Sequence, residues 1–230
     1  MKKVSRFLTI SLVISLSFCF FFSSAATRKR ERSPELDAMS DKELLTSVDA
    51  GKNSELVSAF QTKEATRLYN GPFNPKKTGA NVETYRNKEV IIITIPTDKL
   101  FDPNATSLKR DADNLLIPLK RYMKSESKDM YRVLMVMHTD NSGSETYTDN
   151  LSLKRAESVF NWFEANGCDT DYLFMRARGA SEPNMTSGTI EDIIGANDTY
   201  EKRAANRRLE IFLIPGKRMI EAAKKGRISF

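Results

Sequence analysis

The densest run of chemistry-bearing side chains lies at residues 138–155. It reads His138-Thr139-Asp140-Asn141-Ser142-Gly143-Ser144, then Glu145-Thr146-Tyr147-Thr148-Asp149-Asn150, then Leu151-Ser152-Leu153-Lys154-Arg155. Carboxylates, hydroxyls, an imidazole and a guanidinium could serve either catalysis or the binding of a charged group. Catalysis needs companions that the chain does not supply. His138 is the sole histidine, and the two cysteines, Cys19 and Cys168, stand well apart from it. A nucleophile–base pair is therefore missing, and so is the donor set of a structural zinc. No metal and no cofactor are expected. On residue type alone, Asp140-Asn141-Ser142-Gly143 is a turn, since Asp, Asn and Gly are turn formers. Arg155 taken alone is as readily a solvated helix residue as a ligand contact. The rest of the chain decides between these readings.

The chain has 230 residues, with 36 Lys and Arg against 30 Asp and Glu, a formal charge of +6. That length allows one good-sized domain with appendages, or two small ones. A 40% hydrophobic and 29% charged composition excludes collagenous and wholly disordered classes. The basic surplus is unevenly placed. Residues 1–26 hold Lys2, Lys3 and Arg6 and no acid, leaving 33 basic against 30 acidic side chains beyond them. So small an excess does not mark a nucleic-acid binder. Residues 1–6 are basic, residues 7–22 carry no charge, and Ser23-Ser24-Ala25-Ala26 are small. This is the pattern of a secretory leader cleaved near Ala25 or Ala26. As a helix the uncharged run would reach only ~24 Å, short of the ~30 Å hydrocarbon core. The alternatives are an uncleaved anchor and lipidation at Cys19. Bulky Phe18 before that cysteine and Phe20-Phe21-Phe22 after it argue against lipidation.

The elements that must position the run at 138–155 come next. Residues 27–40 alternate charge and carry Pro34, a solvated leader, and residues 41–61 could form one helix with Leu56, Val57 and Phe60 among its apolar positions. Residues 69–81, with two Pro and two Gly, form a linker or ordered loop. A β-branched strand spans 89–95 and stops at Pro96. Leu108, Ala112, Leu115, Leu119 and Tyr122 then step by 4, 3, 4 and 3, one stripe of an amphipathic helix. Strands are predicted at 132–137, within 172–178 and at 209–214, with a helix over 151–166 stopped by Gly167. A right-handed crossover is expected between the first two strands. The fold class is α/β, a two-layer sandwich of βαβαβ type with helices on one face of a mixed sheet. The N-terminal helix or the tail is expected to cover part of the other face, or that face stays wet. The expected division is 1–26 signal peptide, 27–81 leader, helix and linker, 82–216 main domain and 217–230 basic tail, the last a weakly amphipathic helix candidate.

With these elements placed, the run at 138–155 resembles the strand-to-helix motif HTD-x-x-G-x-x-x-Y-N-x-x-LS-x-x-RA of the OmpA-like peptidoglycan-binding family, which includes Pal-like and MotB-like proteins. Three further stretches agree in order. Leu100-Phe101-Asp102-Pro103-Asn104 is similar to the F-D-x-N segment, residues 179–183 to G-x-x-x-P, and residues 197–211 to N-x-T-x-x-x-R-x-x-N-R-R-V-E-I. The resemblance covers about 82–215. Met137, Thr148 and Lys202 depart from it, Thr148 where Asn is usual, and residues 184–196 look like an insertion with room for a short helix.

The resemblance implies a non-enzymatic domain that binds the stem peptide of peptidoglycan, chiefly its diaminopimelate residue. It implies that Asp140 accepts from the ligand ammonium and that Arg155, in the first turn of the following helix, forks onto the neighbouring carboxylate. A helix N-terminus there would add donors for that carboxylate. Asn104, Thr139, Thr148, Leu151 and Arg207 are carried over as further ligand contacts, Asn104 having an Asx-turn cap as its alternative. Arg203 and Asn206 border the cleft in the family. His138, Tyr147, Trp162 and Arg208 read as structural. The implied place is a Gram-negative periplasm, holding the outer membrane or a membrane-protein partner to the wall, with no nucleic-acid partner. Open alternatives are an inner-membrane-anchored wall-binding subunit, an envelope hydrolase, and a drifted module that binds a protein partner.

Overall fold

A computed structural model of the chain describes residues 54–124, 129–184 and 194–228. The expected signal peptide, the leader at 27–53 and most of the insertion at 184–196 lie outside the described residues. Helix α1 (Ser54–Asn70) runs nine residues past the expected end at 61. Its buried positions Val57, Gln61, Glu64, Ala65 and Leu68 form one stripe of helical spacing. A single turn, α2 (Pro75–Thr78), is capped by the Asn74 side chain and closed by Gly79 at φ 73°. It leads into β1 (Asn81–Tyr85) and β2 (Val90–Pro96), an antiparallel hairpin. Its loop holds Arg86, Asn87 and Lys88 at φ 50°, 53° and 66°. β1 is absent from the sequence reading because only Val82 of its five residues is buried. A short, polar edge strand leaves almost no hydrophobic signal.

The remaining strands are β3 (Tyr131–His138), β4 (Leu173–Gly179) and β5 (Arg208–Pro215), and the sheet order is β1-β2-β5-β3-β4. β5 pairs antiparallel with both β2 and β3, so the first two predicted strands run parallel with the closing strand between them. The sheet's parallel neighbours are β3 and β4. β5 takes the centre, with Leu209, Ile211 and Leu213 buried on one face and Phe212 and Ile214 packed on the other beside Glu210. The sheet is mixed and open, as expected.

The helix predicted over 108–122 is broken. Residues Arg110–Ala112 and Ile117–Met123 are 3₁₀ turns on either side of a four-residue α3 (Asp113–Leu116). Pro118 has no N–H to continue an α-helical ladder and clashes with the turn before it, so the chain tightens. The apolar stripe survives the change, with Ala112, Leu115, Leu119 and Tyr122 all buried. Helix α4 (Glu145–Ala165) begins six residues before the expected start, because the Ser144 hydroxyl accepts from the Tyr147 N–H as an N-cap. Gly167, at φ 72°, closes it as expected. Two short helices follow, α5 (Tyr200–Asn206) and α6 (Lys217–Lys224).

One core joins Ile91, Ile93 and Ile95, Val133, Met135 and Met137, and Leu209, Ile211 and Leu213 to Val57 and Leu68 of α1, Val159 and Phe163 of α4, and Met219 and Ala223 of α6. Residues 54–81 and 217–224, set apart in the sequence reading, therefore pack on the same sheet face as α4 rather than on the other. The other face carries its own smaller buried cluster of Val90, Leu134, Val136, Phe174 and Ile214. Among the described residues, no helix is long and apolar enough to cross a membrane.

Candidate functional site

Four segments meet at one end of the sheet. Beyond β2, a single 3₁₀ turn at Thr97–Lys99 is tied to the start of β5 by the Thr97 N–H donating to Arg207 O at 2.9 Å. Phe101, fully buried, then bridges to Leu108 and closes a small loop. Within that loop the Ala105 N–H donates to Asp102 O at 3.0 Å, and Asn104 takes φ 59°, the left-handed conformation that Asn tolerates. Beyond β3, the Thr139 N–H donates to Gly179 O at 2.8 Å, which anchors the chain just before Asp140. On α4, Tyr147, Leu151 and Arg155 are spaced by four and share one face. Arg207 follows α5 directly. These segments enclose a hollow of about 460 Å³, within the size range of small-ligand sites, about 300–1,000 Å³.

All seven residues carried over by the resemblance line this hollow: Asn104, Thr139, Asp140, Thr148, Leu151, Arg155 and Arg207. Their contacts differ from the expected ones in several places. Asp140 is not held open for a ligand alone. Its Oδ2 accepts from Arg207 Nη1 at 2.7 Å and its Oδ1 from the Ser142 N–H at 2.9 Å. Burial by itself would raise the Asp140 carboxyl, but the Arg207 and Ser142 hydrogen bonds outweigh it and hold the group below the usual carboxylate range. Each carboxylate oxygen still has a second lone-pair site for a ligand donor.

Arg155 lies about three turns into α4, not in its first turn, since the helix starts at Glu145. Its side chain is nonetheless only 4% exposed. Nε donates to Ala105 O at 2.9 Å and Nη2 to Asp102 O at 3.2 Å, and the guanidinium lies 4.9 Å from the Phe101 ring centre. Among the described residues no carboxylate pairs with it, and Nη1 makes no hydrogen bond. Burial lowers its proton affinity from the usual arginine value, the mark of a cation removed from water without full compensation. Thr139 adds a second unsatisfied group, a buried Oγ1 with no hydrogen-bond partner among the described residues. The hollow thus has a carboxylate on one side and an unpaired guanidinium on the other.

Other expectations resolve as follows. Asn104 Oδ1 accepts from Tyr147 Oη at 3.0 Å, which brings Tyr147, read as packing, to the mouth of the hollow at 41% exposure. Thr148 turns its hydroxyl back to Glu145 O at 2.9 Å, a bond within its own helix. Arg203 and Asn206 do not line the hollow. Arg203 Nη1 donates to Asn197 O, and buried Asn206 bridges Ala196, Asn197 and Asn184, pinning the loop before α5. Arg208 and His138 pair instead with Glu210 on the opposite sheet face, at 2.8 Å and 3.4 Å. Asp98 went unnoticed in sequence. It grips Arg207 from the side away from Asp140, with Oδ1 2.9 Å from Nε and Oδ2 2.8 Å from Nη2. It stands just past β2, at the same end of the sheet as Asp140, and no local residue pattern links the two.

Residues 100–207, which contribute most of the hollow's lining, match the OmpA family. The probable lipoprotein YiaD of Escherichia coli strain K12 is 29% identical over 140 residues, covering 61% of this chain and 58% of its own length. Outer membrane protein A of Bordetella avium is 29% identical over 122 residues, 53% of this chain and 57% of its own length. The chain thus spans less than two thirds of these relatives. A MotB-like protein from Desulfovibrio vulgaris superposes with a TM-score of 0.55 at 21% identity, over 70% of this chain and 95% of that one. The cell wall anchor of the T6SS from Pseudomonas aeruginosa gives 0.51 at 24% identity, over 66% and 96%. At such identities the last two show a shared fold.

Proposed function

We propose that this chain is a non-enzymatic binder of peptidoglycan, holding an envelope component to the cell wall through the diaminopimelate residue of the stem peptide. The observation that carries the proposal is Arg155, buried beside an open hollow with no carboxylate in contact with it among the described residues. Retaining a cation there is costly unless an anion completes the site. A ligand carboxylate at Nη1 would do so, and its neighbouring ammonium would then fall toward Asp140. One end of diaminopimelate carries both groups on one carbon. Names of relatives at 29% identity, a lipoprotein and an outer membrane protein, support a place in the envelope. In this proposal the leader is cleaved near Ala25 or Ala26 and the mature chain faces the periplasm.

The test is co-sedimentation of the full chain with purified sacculi, with free diaminopimelate as competitor. The chain should pellet with the wall and be released by the competitor. Asp140→Asn combined with Arg155→Met should abolish pelleting. Retention by the double variant would end the site assignment. N-terminal sequencing of the exported protein separates this reading from an inner-membrane anchor, which requires an intact leader.

A further inference from the structure

We propose that Asp98 makes the hollow selective for a zwitterion over a plain carboxylate, a role that rests on the wall-binding reading above. The inference comes from the charges around the cavity. Asp140, the group assigned to the ligand ammonium, already touches Arg207 at 2.7 Å. Taken by themselves those two side chains cancel, and an arriving ammonium would meet a guanidinium beside its acceptor. Asp98 changes the balance. It binds Arg207 at both Nε and Nη2 while Nη1 reaches Asp140, so two carboxylates share one cation. Lys109, also at the cavity wall, is offset by Asp102 at 3.3 Å and held by the Asp98 carbonyl at 2.9 Å. Arg155 alone is left without a carboxylate among the described residues. The cavity therefore carries one net negative charge on the Asp98–Arg207–Asp140 side and one positive charge on the Arg155 side.

That polarity matches a carbon bearing an ammonium and a carboxylate. Without Asp98 the negative side would be neutral, and Arg155 would make the hollow a receptor for any carboxylate. Asp98 is suited to this task because it does not seal the cavity. Its side chain is 51% exposed and belongs to no apolar core, so it acts through charge and through the placement of the Arg207 fork. The Tyr200 ring, with its centre 5.8 Å from the same guanidinium, flanks Arg207 at the cavity wall. Asp98 is thus a positioning residue, since the groups assigned to touch ligand are Asp140 and Arg155.

The experiment is calorimetric titration of the full chain with meso-diaminopimelate and with pimelate, the same seven-carbon diacid lacking both ammonium groups. Wild type should favour diaminopimelate by about tenfold or more, the scale of one charge-assisted hydrogen bond. Asp98→Asn should erase most of that preference by weakening diaminopimelate, with pimelate unchanged or tighter. Asp98→Glu should restore it. A purely structural role for Asp98 predicts equal loss for both probes, and that result would overturn the proposal. Wild type that binds neither probe would sink the wall-binding reading together with this one. Wild type that prefers diaminopimelate, with Asp98→Asn keeping the same ratio, would sink only the role of Asp98.

Discussion

A guanidinium taken out of water without an anion weakens the fold that holds it, and Arg155 sits in that position by virtue of two backbone carbonyls and one aromatic ring. The hydrogen bonds to Asp102 O and Ala105 O, and the Phe101 face beneath, orient the fork, while Asp98 and Asp140 act on its charge only from a distance. Stability and binding should therefore separate at this residue. Arg155→Met keeps the apolar stem, removes the buried charge, and frees two carbonyls that water in the hollow can reach. Its unfolding free energy should stay within ~1 kcal/mol of wild type, since trading a buried cation for an apolar side chain is often close to neutral. Binding to sacculi should fall at least tenfold, the scale of a lost charge-assisted hydrogen bond of ~1.5–3 kcal/mol. Urea unfolding beside sedimentation checks both halves. A large loss of stability with unchanged binding would make Arg155 a brace for the 101–108 loop and nothing more. Functional sites commonly tolerate such locally unfavourable arrangements.

Among the elements, α1 shows what held the sequence reading short. Its apolar positions up to Phe60 are legible, but its hold on the sheet is polar and long-range. Gln61, fully buried, donates to Glu89 O at 2.8 Å and Leu213 O at 3.2 Å, and accepts from Tyr131 Oη at 3.0 Å. Nothing in the local pattern announces partners 28, 70 and 152 residues away. Gln61→Leu should strand those groups and lower stability by at least ~2 kcal/mol. It should do so in a single unfolding transition, because α1 and the sheet share one core. A separate early transition for α1, seen by far-UV circular dichroism, would show instead that it is an appendage. The same contrast explains the other elements. β2, β3 and β5 were legible as dense apolar runs. β1 was hidden by its polar edge, the start of α4 by a cap among turn formers, and the break at Pro118 by an apolar stripe that both helix types preserve. Seven residues of the hollow's lining could be named because motifs carry them in order. Asp98 could not, since only the folded Arg207 connects it to Asp140.

Across the whole molecule, two buried carboxylates and one half-buried one respond to acid in the same direction. For Glu64, Asp140 and Glu210, burial by itself would raise the carboxyl. In each case contacts with cationic or donor groups prevail: hydrogen bonds from Arg67 and Tyr122 for Glu64, from Arg207 and Ser142 for Asp140, and for Glu210 a hydrogen bond from Arg208 with the His138 ring 3.4 Å away. Glu210 is the strongest, lowered from 4.5 to about 2. A carboxyl whose folded value lies below its unfolded one stabilises the protein above the unfolded value. That contribution fades as pH falls through the folded value. For Glu210 it is present above pH 4.5 and disappears toward pH 2, amounting to up to ~3 kcal/mol. Stability should therefore hold near neutral pH and decline steadily below pH 4.5. Glu210→Gln leaves the Arg208 guanidinium and the His138 ring without their acid. It should be less stable than wild type by that amount at pH 7 and lose less on acidification, so the two curves converge toward pH 2. Thermal unfolding from pH 7 to 2.5 measures both slopes. Parallel curves would mean that the strand-end cluster on the sheet's second face does not couple folding to protons, and that the acid response arises at other carboxylates such as Asp140 and Glu64.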